Sequence, residues 1–418
     1  MKESYDCVII GGGPSGSTAA TLLADHGHSV LVLERSKFPR HHIGESLMPN
    51  TYWTFKRLGL LERMKSSDFV VKESVQFVTA SGRESAPFFF PDRDPGEWSF
   101  TWQVERSRFD KMLMENAREH GAEVVEQATV REVLFDGDRA AGVRAVIGGE
   151  TRDIRSKVVL DASGQAGLIS RQLKLRYGDT KLKNAVIYSY YKGALRDPGR
   201  NAGATLVIAT PQGGGWFWFI PLSNDITSFG VVAPPDYLYN GRGDDPGAIL
   251  DEEIANCPGA ARRMANATRV AQIYTTADFS YRSSRFAGHG WVLIGDAFGF
   301  LDPLYSSGVM LAFKSAEYAA DAVHDALVAG DVSADRLGRE GERLAEGMQR
   351  IRMLVYAYYD PKFSMGRFIR EYPQFKDHVT RILIGDVFKD DLHEVFDALA
   401  KQVTLPDPIR LEEGAAAQ

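Results

Sequence analysis

Apolar residues in this chain fall into short unbroken runs near the N-terminus and into alternating, aromatic-rich runs in the middle. Residues 5–10 (YDCVII), apolar without a break from Cys7 to Ile10, predict a buried strand. Residues 17–26 (STAATLLADH) predict a helix, which Gly27 ends. Residues 29–33 (SVLVL) predict a second buried strand, closed by Glu34. The strand-and-turn pattern returns twice, far along the chain. At 157–167 (KVVLDASGQAG) the strand ends in Asp161. At 292–294 a strand leads to Gly295 and Asp296, then to a loop with Pro303 and Gly308, and then to a long Ala-rich helix from about Val309. One folding unit is therefore expected from three distant segments.

Between these segments, residues 73–101 and 183–283 carry alternating patterns such as AVIYSYY, ATLVIAT, GWFWFIPL and ITSFGVVA, which predict a separate antiparallel sheet. Past about Asp331 the pattern is helical, with an aromatic cluster at Tyr356, Tyr358 and Tyr359. The expected fold class is α/β. A Rossmann-like nucleotide domain would comprise 1–72, 101–182 and 284–330. A β-sheet substrate domain would comprise 73–100 and 183–283, and a helical C-terminal region 331–418.

Composition narrows the chemistry. The 49 Lys and Arg residues against 55 Asp and Glu residues give a net charge of −6, which argues against a nucleic-acid-binding surface. Two cysteines, Cys7 and Cys257, exclude a disulfide scaffold and a Cys-rich metal centre, and no HExxH or zinc spacing occurs, so no metal is expected. Apolar stretches are too short to cross a bilayer. The opening MKESYD runs straight into a strand pattern with no signal peptide, so a cytoplasmic enzyme is expected.

Gly11, Gly13 and Gly16, in the run GGGPSG with Ser15, have G-x-G-x-x-G spacing between a strand and a helix. Gly11 allows the turn, Gly13 admits a diphosphate close to the backbone, and Gly16 lets the helix pack on the sheet. The phosphate charge would sit at the helix N-terminus. Glu34, at the end of the second strand, is placed to accept from a ribose hydroxyl. The spacing alone does not choose between FAD and NAD.

With these motifs the chain resembles p-hydroxybenzoate hydroxylase-like flavoproteins and, more narrowly, the flavin-dependent halogenases. GGGPSG and GDAFGFLDP (295–303) match the flavoprotein class; FPRHHIGESL (38–47) and WFWFIP (216–221) match the halogenases. GDVFKDDLHEVFDAL (385–399) resembles the tail of halogenases that act on pyrrole or phenol rings. The resemblance implies FAD, used as FADH₂ from a separate flavin reductase, with chloride or bromide as the halogen source. It assigns Asp296, Pro303 and Gly308 to the flavin, places Glu45, Ser46 and Arg106 beside it, and gives Ser307 and Gly308 to the halide. It makes Lys72 the catalytic lysine, either hydrogen-bonding hypohalous acid or becoming a chloramine. Trp216, Trp218, Ile220 and Pro221 would wall substrate away from the flavin.

One departure bears on the substrate. Tryptophan halogenases carry a glutamate where this chain has Tyr305, so free tryptophan is disfavoured. An electron-rich pyrrole or phenol is expected, either carried on a carrier protein or free. A carrier would need a local basic patch, for which Arg350 with Arg352, or Arg367 with Arg370, are candidates. The competing reading is an aromatic hydroxylase or another flavin oxidoreductase on the same scaffold.

Overall fold

The computed structural model describes residues 2–93, 95–277 and 279–412. The unbroken apolar runs become the middle of a sheet ordered Ala287–Gly288, Trp291–Leu293, Glu150–Asp161, Ser4–Ile10, Val30–Glu34 and Glu123–Glu126. Its central pairs are parallel, and Cys7, Val8, Leu31, Val32, Val158 and Val159 are fully enclosed, as a sheet covered on both faces requires. Register places Ile10 beside Asp161, and Asp161 beside Leu293. The carboxyl ends of three strands from distant parts of the chain therefore meet at one edge, where open α/β sheets bind ligands.

A second sheet is ordered Thr268–Arg269, Ala185–Lys192, Ile226–Ala233, Trp216–Pro221, Thr205–Ala209, Ser74–Val78 and Phe88–Phe89. Its pairs are antiparallel, as expected, except that Thr205–Ala209 runs parallel to Ser74–Val78. Trp216–Pro221 is buried along its whole length because it has a core on each side. Trp216, Trp218 and Ile220 join the main core, while Phe217 and Phe219 join a second core with Phe229 and Val231.

Two local expectations differ. The first helix spans Pro14–Asp25 rather than starting at Ser17, since proline is well suited to a first helical turn. Residues 73–101 were expected to be mainly strand. Beyond Ser74–Val78 the described residues there hold only short pieces, Phe88–Phe89 and the start of Thr101–Gln103, with 3₁₀ turns at Phe90–Asp92 and Glu97–Ser99. Pro87, Pro91 and Pro95 lack the N–H that a continuous ladder needs.

The C-terminal part is helical. Its long helix, Gly341–Tyr359, brings Tyr359 against the tryptophan strand. Arg350 and Arg352 are not a surface patch. Arg350 is buried and donates to the carbonyls of Val387 and Lys389; Arg352 is buried against Asp179. Arg367 and Arg370 are exposed. Among the described residues no helix is long and apolar enough to cross a membrane, and no group of three or more His, Cys, Asp or Glu is arranged to hold a metal.

Candidate active site

A cavity of about 400 Å³ opens along the carboxyl edge of the parallel sheet. Gly11, Gly13, Pro14 and Ser15 form one end of its wall. Gly11 has φ +99°, and a Cβ there would lie 2.5 Å from the carbonyl of Ala162. A Cβ on Gly16 would lie 2.0 Å from the carbonyl of Gly11. No other residue permits this turn and this packing together. The helix that follows has no side-chain cap and no acid in its first turn, so its N-terminus is ready for an anion.

Glu34 is buried and lines the cavity, its two oxygens held by the N–H groups of Gly12 and Ser36, each at 2.8 Å. Arg40, which the sequence reading passed over, lies beside Gly13, pairs with Asp110 at 3.1 Å and approaches Glu34 at 3.7 Å. Arg106 is buried and grips both oxygens of Asp110; it also donates to the carbonyls of Ile43 and Gly44. It thus fixes the loop that carries Glu45 and Ser46. Asp296 lines the cavity, and enclosure raises its carboxyl to about 6 while Arg106 opposes the rise. Pro303, Leu304, Ser306, Gly308 and Val309 form the facing wall, with Ser307 buried but not part of it.

Lys72 lies just beyond Ser46. Its strand, Val70–Lys72, pairs with Thr101–Gln103, whereas the next strand, Ser74–Val78, belongs to the large second sheet. Glu73 is the point of transfer between the two sheets. The transfer turns Lys72 inward: it is 4% exposed and donates to Ser46 Oγ at 2.8 Å and to the Leu47 carbonyl at 2.9 Å. Phe90 lies 5.7 Å from the ammonium. No carboxylate pairs with Lys72 among the described residues, and burial lowers its pKa to about 7. Ser46 Oγ also meets Thr205 Oγ1 at 2.8 Å, which receives Gln103 Nε2 at 2.8 Å.

Trp216, Trp218 and Ile220 line the same cavity, and Pro221 closes their strand. The two indoles lie 6.3 Å apart, tilted at 56°. Trp216 Nε1 donates to Tyr359 Oη at 2.8 Å, and Tyr359 in turn donates to Asp302 at 3.1 Å. Trp218 Nε1 donates to Ser228 Oγ at 3.0 Å. Each ring is therefore anchored through its indole N–H. Tyr305 is buried, with its hydroxyl toward the Leu354 carbonyl, and burial keeps it from ionising.

The model of the tryptophan halogenase family matches residues 6–92 and 91–364. The chain belongs to that family. It is 35% identical over 394 residues to the 1H-pyrrole-2-carbonyl-(peptidyl-carrier protein) brominase of Pseudoalteromonas luteoviolacea, covering 92% of this chain and 93% of that one. It is 30% identical over 418 residues to the corresponding chlorinase of Pseudomonas fluorescens, covering 95% and 92%. A solved flavin-dependent brominase superposes with a TM-score of 0.85 at 34% identity, covering 95% of this chain and 98% of that one. The myxobacterial chondrochloren halogenase gives 0.79 at 33%, covering 96% and 97%.

The protein is a flavin-dependent halogenase, and its cofactor is FAD. The cavity suits that group: a glycine cradle against an uncapped helix start, Glu34 oriented by two N–H groups, Arg40 beside Gly13, and a tryptophan wall opposite the loop at Pro303. Besides Arg40, sequence reading missed Thr205, Asp302, Tyr359 and Tyr190, whose hydroxyl donates to Glu45 at 2.6 Å, as parts of this site. Tyr359 was noticed only as part of an aromatic cluster. Asp302 lies inside the GDAFGFLDP run without having been singled out, and no motif spacing marks the other three, because each reaches the site from a different element.

Proposed function

We propose that this halogenase acts on an electron-rich ring, a pyrrole-2-carbonyl group held on a peptidyl carrier protein, using FADH₂ from a separate reductase, O₂, and chloride or bromide. Two relatives that act on such carrier-bound pyrroles, each matched over nearly its whole length, support the ring and the tether. Tyr305, in the place of a glutamate, supports a ring that loses its proton to water.

The observation that carries the reading is Lys72, buried with no counter-charge among the described residues and held by two hydrogen bonds. Reduced FAD, when bound, supplies hypohalous acid with O₂ and the halide. Two of the three ammonium hydrogens of Lys72 are committed to Ser46 and Leu47, which leaves one for the hypohalous oxygen. That hydrogen bond raises the electrophilicity of the halogen. Because the pKa is near 7, the neutral amine is also accessible, which keeps a chloramine route open. Trp216 and Trp218 keep the ring from the flavin side, so the small halogenating species makes the crossing.

The test compares turnover of the carrier-loaded ring with that of the free acid, under a flavin reductase. Faster turnover of the carrier-loaded ring is expected. Faster turnover of the free acid would contradict the tether, and rapid reduction of bound FAD by NAD(P)H alone would contradict the separate reductase.

A further inference from the structure

We infer that Tyr359 is a positioning residue for halogenation: its hydroxyl ties the tryptophan wall to the loop at 303–308, so that wall and loop hold one geometry. The inference rests on the proposed function, which sets flavin and halide at that loop and the ring beyond that wall.

A phenol hydroxyl has one hydrogen to give and two lone pairs that accept, and here all are used. Tyr359 Oη accepts from Trp216 Nε1 at 2.8 Å and from Asn184 Nδ2 at 3.1 Å, and donates to Asp302 Oδ2 at 3.1 Å. Asp302 is 2% exposed, and its other oxygen accepts from the Leu304 N–H at 3.0 Å, which caps the turn Pro303–Tyr305. That turn ends at Ser306, whose φ of +59° is one that residues other than glycine adopt reluctantly. A strained turn persists only where its surroundings hold it, and the Asp302 cap is one such hold. Tyr358 meets the Tyr359 ring edge-on at 5.6 Å and keeps the hydroxyl aimed. Strand, loop and C-terminal helix thus meet at one oxygen.

The tie answers to charge. Tyr305, Tyr358 and Tyr359 are the titratable groups that face Asp302, and burial keeps all three protonated. No cation faces Asp302 among the described residues. Burial raises its carboxyl to about 6, against the hydrogen bonds from Leu304, Tyr359 and Asn184 that favour the anion. Above that pH a charged carboxylate takes the Tyr359 hydrogen, and the polarised hydroxyl accepts more strongly from Trp216. Below it the carboxyl is neutral and both bonds weaken. With the tie lost, Trp216 no longer holds its place between ring and flavin, and FADH₂ and O₂ give FAD and hydrogen peroxide in place of halogenated product.

The first readout is the indole N–H resonance of Trp216 in holoenzyme labelled at tryptophan nitrogen, assigned with Trp216→Phe. It is expected to titrate with a midpoint of about 6. In Tyr359→Phe it is expected to move upfield and to stop following that titration, and Asp302→Asn is expected to abolish the titration with Tyr359 intact. A wild-type resonance indifferent to pH near 6, or one that still titrates in Asp302→Asn, would overturn the tie. The second readout is halogenated product formed per FADH₂ consumed. Tyr359→Phe removes one hydroxyl and keeps the ring; it is expected to lower this ratio about fivefold, the worth of one hydrogen bond, with FAD retained and the balance released as hydrogen peroxide. It is also expected to move the acid limb of the ratio to higher pH, because the Asp302 anion has lost a donor. A wild-type ratio or an unmoved limb in Tyr359→Phe would overturn the positioning role. No halogenated product from the wild type would overturn the proposed function instead, and the resonance would still decide the tie.

Discussion

Val71 and Lys72 are adjacent, and their burial is inverted: the valine is 46% exposed and the lysine 4%. Burial holds the Lys72 pKa near 7, below the 10.5 of a free lysine, so the unfolded chain binds the extra proton between those values. Stability contributed at this position is therefore lowest below pH 7 and rises with pH up to about 10.5. The penalty below pH 7 is at most about 5 kcal/mol. Lys72→Met is expected to raise Tm at pH 6 and to lose that advantage by pH 10; an equal gain at both pH values would contradict the burial argument. Lys72→Arg keeps the charge but is expected to lose halogenation about a hundredfold or more, because a planar guanidinium does not replace one ammonium between Ser46 and Leu47. Composition and period would have put Lys72 on the surface. Only the resemblance singled it out, since the transfer between sheets at Glu73 that turns it inward has no local signature.

At the scale of elements, the glycine turn was legible because its spacing expresses steric limits that only glycine meets. Gly16→Ala would set a Cβ 2.0 Å from the Gly11 carbonyl and is expected to yield protein that no longer retains FAD on gel filtration. Retention equal to wild type would show that the close packing is dispensable. The tryptophan wall was only half legible. Period two placed Trp216 and Trp218 on one face, but it gave no sign of what locks them. Gly230, on the neighbouring strand, is one such device: a Cβ there would lie 2.6 Å from the Trp218 ring and 2.3 Å from Tyr188 Cβ. Gly230→Ala is expected to cost about 1–3 kcal/mol by overpacking. It should also displace the indole, read as a changed Trp fluorescence together with more oxygenated by-product. Unchanged fluorescence and product would mean that the wall tolerates the methyl group.

For the whole molecule, the three-segment nucleotide sheet and the second sheet were foreseen because strand runs survive long interruptions. The clamp from the C-terminal helix was not: Tyr359 reaches Trp216 and Asp302 from a helix whose own pattern reads only as amphipathic. Charge placement was also misread at Arg350 and Arg352, because a pair of arginines in sequence carries no information about the carbonyls and carboxylate that bury them. On the proposed function, the flavin cradle, Lys72 and the wall act as one device, with the oxidised halogen made on one side and used on the other. The direct test is mass spectrometry of a carrier-bound pyrrole-2-carbonyl group after incubation with FADH₂ from a reductase, O₂ and bromide, using wild type and Lys72→Ala in parallel. The account predicts replacement of ring hydrogen by bromine with wild type, and none with Lys72→Ala. A hydroxylated ring as the sole wild-type product, or near-wild-type bromination by Lys72→Ala, would contradict it.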